Sequence, residues 1–193
     1  MQLTEHLNET SFPGNAPDWY ALFVRYQHEK FVALGLSNKN IETYLPLCNS
    51  TRQWQDRAKQ LWLPLFPSYV FVRENAHHQL QIISTPGVIH IVRFGGRPAI
   101  VSQSQISAVR KILDGHYVVE PHPYLTAGDR VRVKTGPLAG VAGILTRKKN
   151  RAQLVISMEM LGRSAAVEIE LSNVERIGPK TSLLPKKHTT AVA

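Results

Sequence analysis

Apolar and polar positions change their period several times along the chain, and the changes divide it. Residues 19–27, WYALFVRYQ, are aromatic and β-branched on both faces, as in a strand buried in the middle of a sheet. In 28–36, HEKFVALGL, Phe31 with Leu34 and Val32 with Leu36 fall at helical spacing, and SNKN ends that helix. IETYLPL (41–47) alternates Ile41, Thr43, Leu45 and Leu47 against Glu42 and Tyr44, a half-buried strand that Pro46 puts at an edge or end. Residues 49–60 are polar apart from Trp54 and Ala58 and read as the tip of a long hairpin. LWLPLFPSYVFV (61–72) returns to the sheet, broken by Pro64 and Pro67. A short helix over 76–84 is expected to bury Leu80 and Ile83, followed by a turn at 85–87 and a strand over 88–94 that ends at Gly95-Gly96.

The clearest helix start is Ser102 with Gln105 three residues on, a capping-box pattern. Ile106, Val109, Ile112 and Leu113 follow on one helical face, and Gly115 is the stop. Residues 117–127 hold two prolines and no helical period, which predicts a linker. Beyond it come only short strands, over 130–134, 141–146, 152–158, 165–171 and 174–177, the spacing of a small barrel. The pattern thus predicts a flexible leader (1–18), an α/β sandwich (19–115), a linker (116–127), a barrel (128–177) and a disordered basic tail (178–193). The fold class is α+β, with a mainly antiparallel sheet in the first domain.

Composition narrows the function. The chain has 193 residues, 43% hydrophobic, enough for one large or two small domains. The single cysteine, Cys48, cannot form an internal disulfide, which fits a reducing cytoplasm, and it reads as a semi-buried strand thiol. No apolar run approaches about 18 residues, so no membrane span is expected. The N-terminus lacks the basic start and apolar core of a signal peptide. Net charge is +9, which favours anionic partners. Lys and Arg outnumber Asp and Glu by 11 to 8 in residues 1–116 and by 9 to 6 in 117–177, so nucleic-acid contact must come from local clusters. One is Arg52, Trp54, Arg57 and Lys59, where guanidinium groups could hold phosphates and Trp54 stack on a base; a solvated hairpin with Trp54 folded onto the sheet is the alternative. Arg147, Lys148, Lys149 and Arg151 form a second cluster, or a soluble hairpin turn. No Gly-rich phosphate loop, local Ser/His/Asp set or metal-ligand spacing appears. Hence no catalytic residue, cofactor or metal is expected.

GDRVRVKTGPLAGVAGIL (128–145) resembles the KOW motif, and the run through VEIELSNVERI resembles a complete KOW-type SH3-like barrel. Upstream, WYAL, PLFPSYVFVR and TPGVIHIVRFGGRPAIV resemble the NGN domain. NGN followed by KOW is the layout of the NusG family of transcription factors, and RQWQDRAKQLWLPLFPSYVFVR most resembles its specialised UpxY, RfaH and LoaP paralogues. The resemblance implies an operon-specific antitermination and elongation factor, cytoplasmic and monomeric. It would sit on the clamp helices and gate loop of bacterial RNA polymerase and suppress pausing. Phe66, Tyr69 and Phe71 fall in the family's docking region with Phe23 facing it, though they could be plain core residues. Ser68 replaces a usual Gly, which argues against a left-handed backbone there. His78 and Gln79 align with a gate-loop contact, or belong to an exposed helix with Leu80 inward. The basic tip would face non-template DNA or nascent RNA. In the barrel, Pro137, Leu138 and Val141 form the partner loop, which in general NusG proteins carries an aromatic and binds a small-subunit ribosomal protein or Rho; here Leu138 stands at the aromatic position. Two other readings stay open: a housekeeping NusG that couples transcription to ribosome or Rho, and a ribosome-associated RNA-binding KOW protein.

Overall fold

The computed structural model describes residues 17–54, 57–74, 78–115, 117–123, 128–148, 151–158 and 161–177. The expected tail, and all of the expected leader before residue 17, lie outside these residues. In chain order the first half runs β1 (Asp18–Val24), α1 (Glu29–Ser37), β2 (Glu42–Tyr44), β3 (Leu47–Trp54), β4 (Arg57–Pro64), β5 (Tyr69–Glu74) and α2 (Gln79–Ile83). It continues with β6 (Val88–Ile91), β7 (Arg93–Phe94), β8 (Arg97–Pro98), β9 (Ile100–Val101) and α3 (Gln103–Asp114). The second half holds β10 (Val119–Pro123), β11 (Asp129–Val133), β12 (Ala142–Lys148), β13 (Arg151–Met158), β14 (Arg163–Glu168) and β15 (Val174–Arg176).

The first sheet has the order β2-β5-β1-β6, with β9 also on β1, and its described pairings are antiparallel. β1 is central and buried on both faces, as its apolar run requires. Tyr20, Leu22 and Val24 join Val70 and Val72 of β5 beneath α1 and α2, which add Val32, Leu36 and Ile82. Trp19 and Ala21 point the other way and pack with Phe71 and with Ile106, Val109 and Ile112 of α3. The cap of α3 forms as its sequence predicts: the Gln105 N–H donates to Ser102 Oγ at 3.2 Å and the Ser102 N–H to Gln105 Oε1 at 3.3 Å.

Four expectations need correction. The strand expected over 41–47 splits in two at Leu45-Pro46. Pro46 has no N–H to continue the ladder, and its carbonyl instead accepts the Leu65 N–H at 2.9 Å. Past this break runs the long hairpin, β3 paired with β4 from Leu47 opposite Pro64 to Trp54 opposite Arg57. The second correction concerns α2. It buries Gln79 and Ile82, while Leu80 and Ile83 are exposed, because so short a helix turns one edge to the sheet and Ile82 occupies it. Third, of the two apolar pairs at helical spacing in α1 only Val32 with Leu36 is buried, while Phe31 and Leu34 are exposed. Fourth, the expected linker contains a strand. β10 pairs with β14 from Val119 opposite Val167 to Pro123 opposite Arg163. Two prolines fit there because β10 is an edge, where a missing donor costs no ladder bond on the open side.

The expected barrel is an antiparallel six-stranded sheet in the order β10-β14-β13-β12-β11-β15. Val131, Val133, Leu154, Ile156, Ala165 and Val167 line its apolar face. Gly143 in β12 is required by close approach: a Cβ there would meet the Val155 carbonyl oxygen at 2.5 Å.

Candidate functional site

One face of the first sheet is covered at one end and open at the other. Side chains alternate along β1 and β5, so Phe23, Tyr69 and Phe71 share the face that carries Trp19. At the covered end Trp19 Nε1 donates to Gln103 Oε1 at 2.7 Å, and the Arg110 guanidinium lies 5.2 Å from the Trp19 ring centroid and 4.8 Å from that of Tyr44. Burial pushes the Tyr44 phenol well above its ordinary range, helped by Asp114 and opposed by Arg110. Phe71 packs against Tyr44 and, edge-on at 6.0 Å, against Phe66; both phenylalanines are buried. At the open end the Phe23 ring lies 5.5 Å from Tyr69 and 5.1 Å from His90. Phe23 and Tyr69 are half-buried and His90 is exposed. This trio is an aromatic surface seated on the sheet beneath it.

The turn into β5 is strained in a way the sequence argued against. Ser68 has φ 68°, a left-handed backbone for a residue with a Cβ. Its N–H is held at 2.7 Å by the carboxylate of Glu29, a buried residue at the start of α1, and its carbonyl accepts the Val24 N–H at 2.9 Å. These two bonds fix the conformation that glycine would adopt without strain, and they lock Tyr69 into place beside Phe23.

The second half of the chain packs against α3. Gln105 Nε2 donates to the Ser157 carbonyl at 3.2 Å, and Lys111 Nζ to the Ala139 carbonyl at 2.9 Å. Buried residues of both halves therefore form one contiguous apolar cluster. Beside the contact opens a groove of about 890 Å³ lined by Lys111, Arg130 and Arg132 together with Ser104 and Ser107.

Comparison with known proteins shows what this chain is similar to. Residues 17–110 match the family described as transcription termination factor NusG. The transcription termination/antitermination protein NusG of Thermus thermophilus is 24% identical over 178 residues, covering 81% of this chain and 97% of that protein. Its counterpart in Pseudomonas aeruginosa is 24% identical over 180 residues, covering 84% and 99%. The first half of the chain is similar to the NusG family. A solved structure concerned with domain interaction in Thermotoga maritima NusG shares the fold, with a TM-score of 0.53 at 21% identity over 84% of this chain and 98% of that one.

The other residues that the NusG resemblance singles out are placed unevenly. His78 Nδ1 lies 2.8 Å from Glu74 Oε2, a buried residue, and Gln79 is itself buried. In the β3–β4 ribbon, Arg52 stands opposite Lys59 and Trp54 opposite Arg57, so all four positions share one face of the ribbon. The described residues include none of their side chains. In the barrel loop Pro137 is exposed, while Leu138 and Val141 are buried in the apolar cluster. Arg151, from the second basic cluster, pairs with Glu168 at 2.8 Å. Cys48 is buried with Sγ 3.6 Å from the Leu63 carbonyl, and burial pushes its thiol up, which leaves it a packing residue. The sequence missed His90, which joins Phe23 only through strand pairing, and Glu29, whose partner is 39 residues away.

Proposed function

We propose that this chain is a NusG-type transcription termination/antitermination factor that docks on RNA polymerase through the open aromatic end of its first sheet. The observation that carries the reading is the Phe23, Tyr69 and His90 trio, placed on a domain that matches the NusG family. Phe66 and Phe71 support it from the core rather than touching the partner. In this reading the clamp helices of the polymerase cover the trio, and the gate loop meets α2 near His78. The β3–β4 ribbon presents Arg52, Trp54, Arg57 and Lys59 to the non-template strand or the transcript. The barrel loop, with Pro137 at its surface, is left for a small-subunit ribosomal protein. A factor that binds the active polymerase better than the paused one shifts the population toward elongation.

The action is operon-specific in this proposal, because Leu138 replaces the aromatic of the general partner loop and lies in the core rather than on the surface. The test is pull-down with purified polymerase followed by single-round transcription on the native leader and on unrelated templates. Phe23→Ala with Tyr69→Ala should weaken binding by about tenfold or more. Read-through should rise on the native leader alone. An equal effect on all templates would favour a housekeeping factor, and wild-type binding retained by the double variant would remove the aromatic trio from the interface.

A further inference from the structure

The β7–β8 hairpin takes no part in the aromatic face, the β3–β4 ribbon or the barrel loop. Arg93 pairs with Pro98 and Phe94 with Arg97, so Gly95 and Gly96 alone make the connection. Both glycines have left-handed backbone, φ 58° and 82°, as a two-residue turn matched to the strand twist demands. Phe94 at this tip is 84% exposed.

A lone exposed apolar side chain is ordinary, but three features set this one apart. Phe94 and Arg97 are directly opposite one another, so ring and guanidinium leave the ribbon on the same face, about 5 Å apart at their Cβ atoms. Arg93 leaves on the other. Neither arginine has an ion pair or side-chain hydrogen bond among the described residues. And the chain holds no Asp or Glu between Glu74 and Asp114, while the same stretch carries Arg93, Arg97, Arg110 and Lys111. An aromatic ring with one guanidinium on its own face of the hairpin and a second on the opposite face, neither ion-paired among the described residues, is complementary to a base flanked by phosphates.

We propose that the β7–β8 hairpin is a contact for unpaired nucleotides. Phe94 stacks on one base, which any base allows because each has a π-face. Arg97 holds a phosphate on the ring's own side and Arg93 one on the other, by paired N–H donors. The small Gly95-Gly96 turn leaves the ring free for a base to approach. A duplex keeps its base faces stacked on one another and offers none to the ring, so single strands are favoured. A displaced DNA strand and a transcript present the same chemistry. The contact needs no polymerase, so it stands or falls separately from the docking proposal.

The test is fluorescence anisotropy of the full chain with labelled oligothymidine, oligouridine and a DNA duplex of equal length, at low and moderate salt. Single strands should bind more tightly than the duplex. Phe94→Ala should weaken that binding by about tenfold, Phe94→Trp should keep it, and Phe94→Leu should not restore it. Arg97→Ala should lower the slope of log affinity against log salt by about one. Thermal melting should be unchanged by Phe94→Ala, since the ring packs against little. Tighter binding of oligothymidine assigns the contact to a DNA strand, and of oligouridine to a transcript; both uphold it. Equal binding of duplex and single strand, wild-type affinity in Phe94→Ala or Phe94→Leu, or no binding by the wild type at low salt would each overturn it. So would a loss seen in Arg52→Ala and absent in Phe94→Ala, which would move the contact to the β3–β4 ribbon.

Discussion

Arg110 lies over two aromatic rings at once, Trp19 at 5.2 Å and Tyr44 at 4.8 Å, and it ties α3 to the sheet. A guanidinium on two partly desolvated ring faces contributes on the order of 1–2 kcal/mol. Arg110→Ala should lower stability to urea by about that amount, with Arg110→Lys between the two; an unchanged midpoint would show that the rings hold themselves. Tyr20 makes a second point at this scale. Its phenol is pushed up from 10.0 to about 12, by burial first and by the Asp18 charge second. The folded state therefore holds this proton more tightly than the unfolded state. The stabilisation is fully present below pH 10 and is lost as pH rises from there through about 12. Melting temperature should fall across that window in the wild type, and Tyr20→Phe should flatten the fall.

At the scale of elements, α3 decides the most. Its first face, Ile106, Val109 and Ile112, is legible from spacing alone, and so are its cap and its end. Ser102→Ala should cost about 1 kcal/mol, read by chemical denaturation, because the Gln105 N–H of the first turn loses its acceptor. The second face was not legible. Gln105, Ala108 and Lys111 look like ordinary solvent-facing residues, and only the structure shows Gln105 and Lys111 donating to barrel carbonyls. Polar side chains carry no signal of what they bond across so large a separation in sequence. The same limit applies to α1 and α2. α1 offers two apolar pairs at helical spacing and α2 offers Leu80 with Ile83 against Ile82, and the choice in each rests on which side the sheet lies. The capping box was readable because both partners sit within one turn.

For the whole molecule, the contact between α3 and the second sheet sets the arrangement of the two halves. Ala108, only 9% exposed, is small enough to let α3 approach the barrel. A large side chain there would overfill the contact and disfavour it. Ala108→Trp should raise the radius of gyration in small-angle scattering while far-ultraviolet circular dichroism stays unchanged, since Ala108 lies beside the Ile106, Val109 and Ile112 stripe rather than at its centre. An unaltered radius would mean that other contacts suffice to hold the halves together.

Local chemistry in the sequence determined most of the strands and helices, where α3 starts and that strands dominate residues 128–177. Those features depend on neighbours a few residues apart. The tertiary structure alone decided that residues 119–123 form a strand, that Ser68 is left-handed, that Leu138 lies in the core and that Phe23 meets His90. Each of these depends on a partner distant along the chain: Ala165 opposite Pro121, the Glu29 carboxylate, the apolar cluster of the barrel, the register of β6. The period of a sequence says which face of an element is apolar, but only packing says what that face meets.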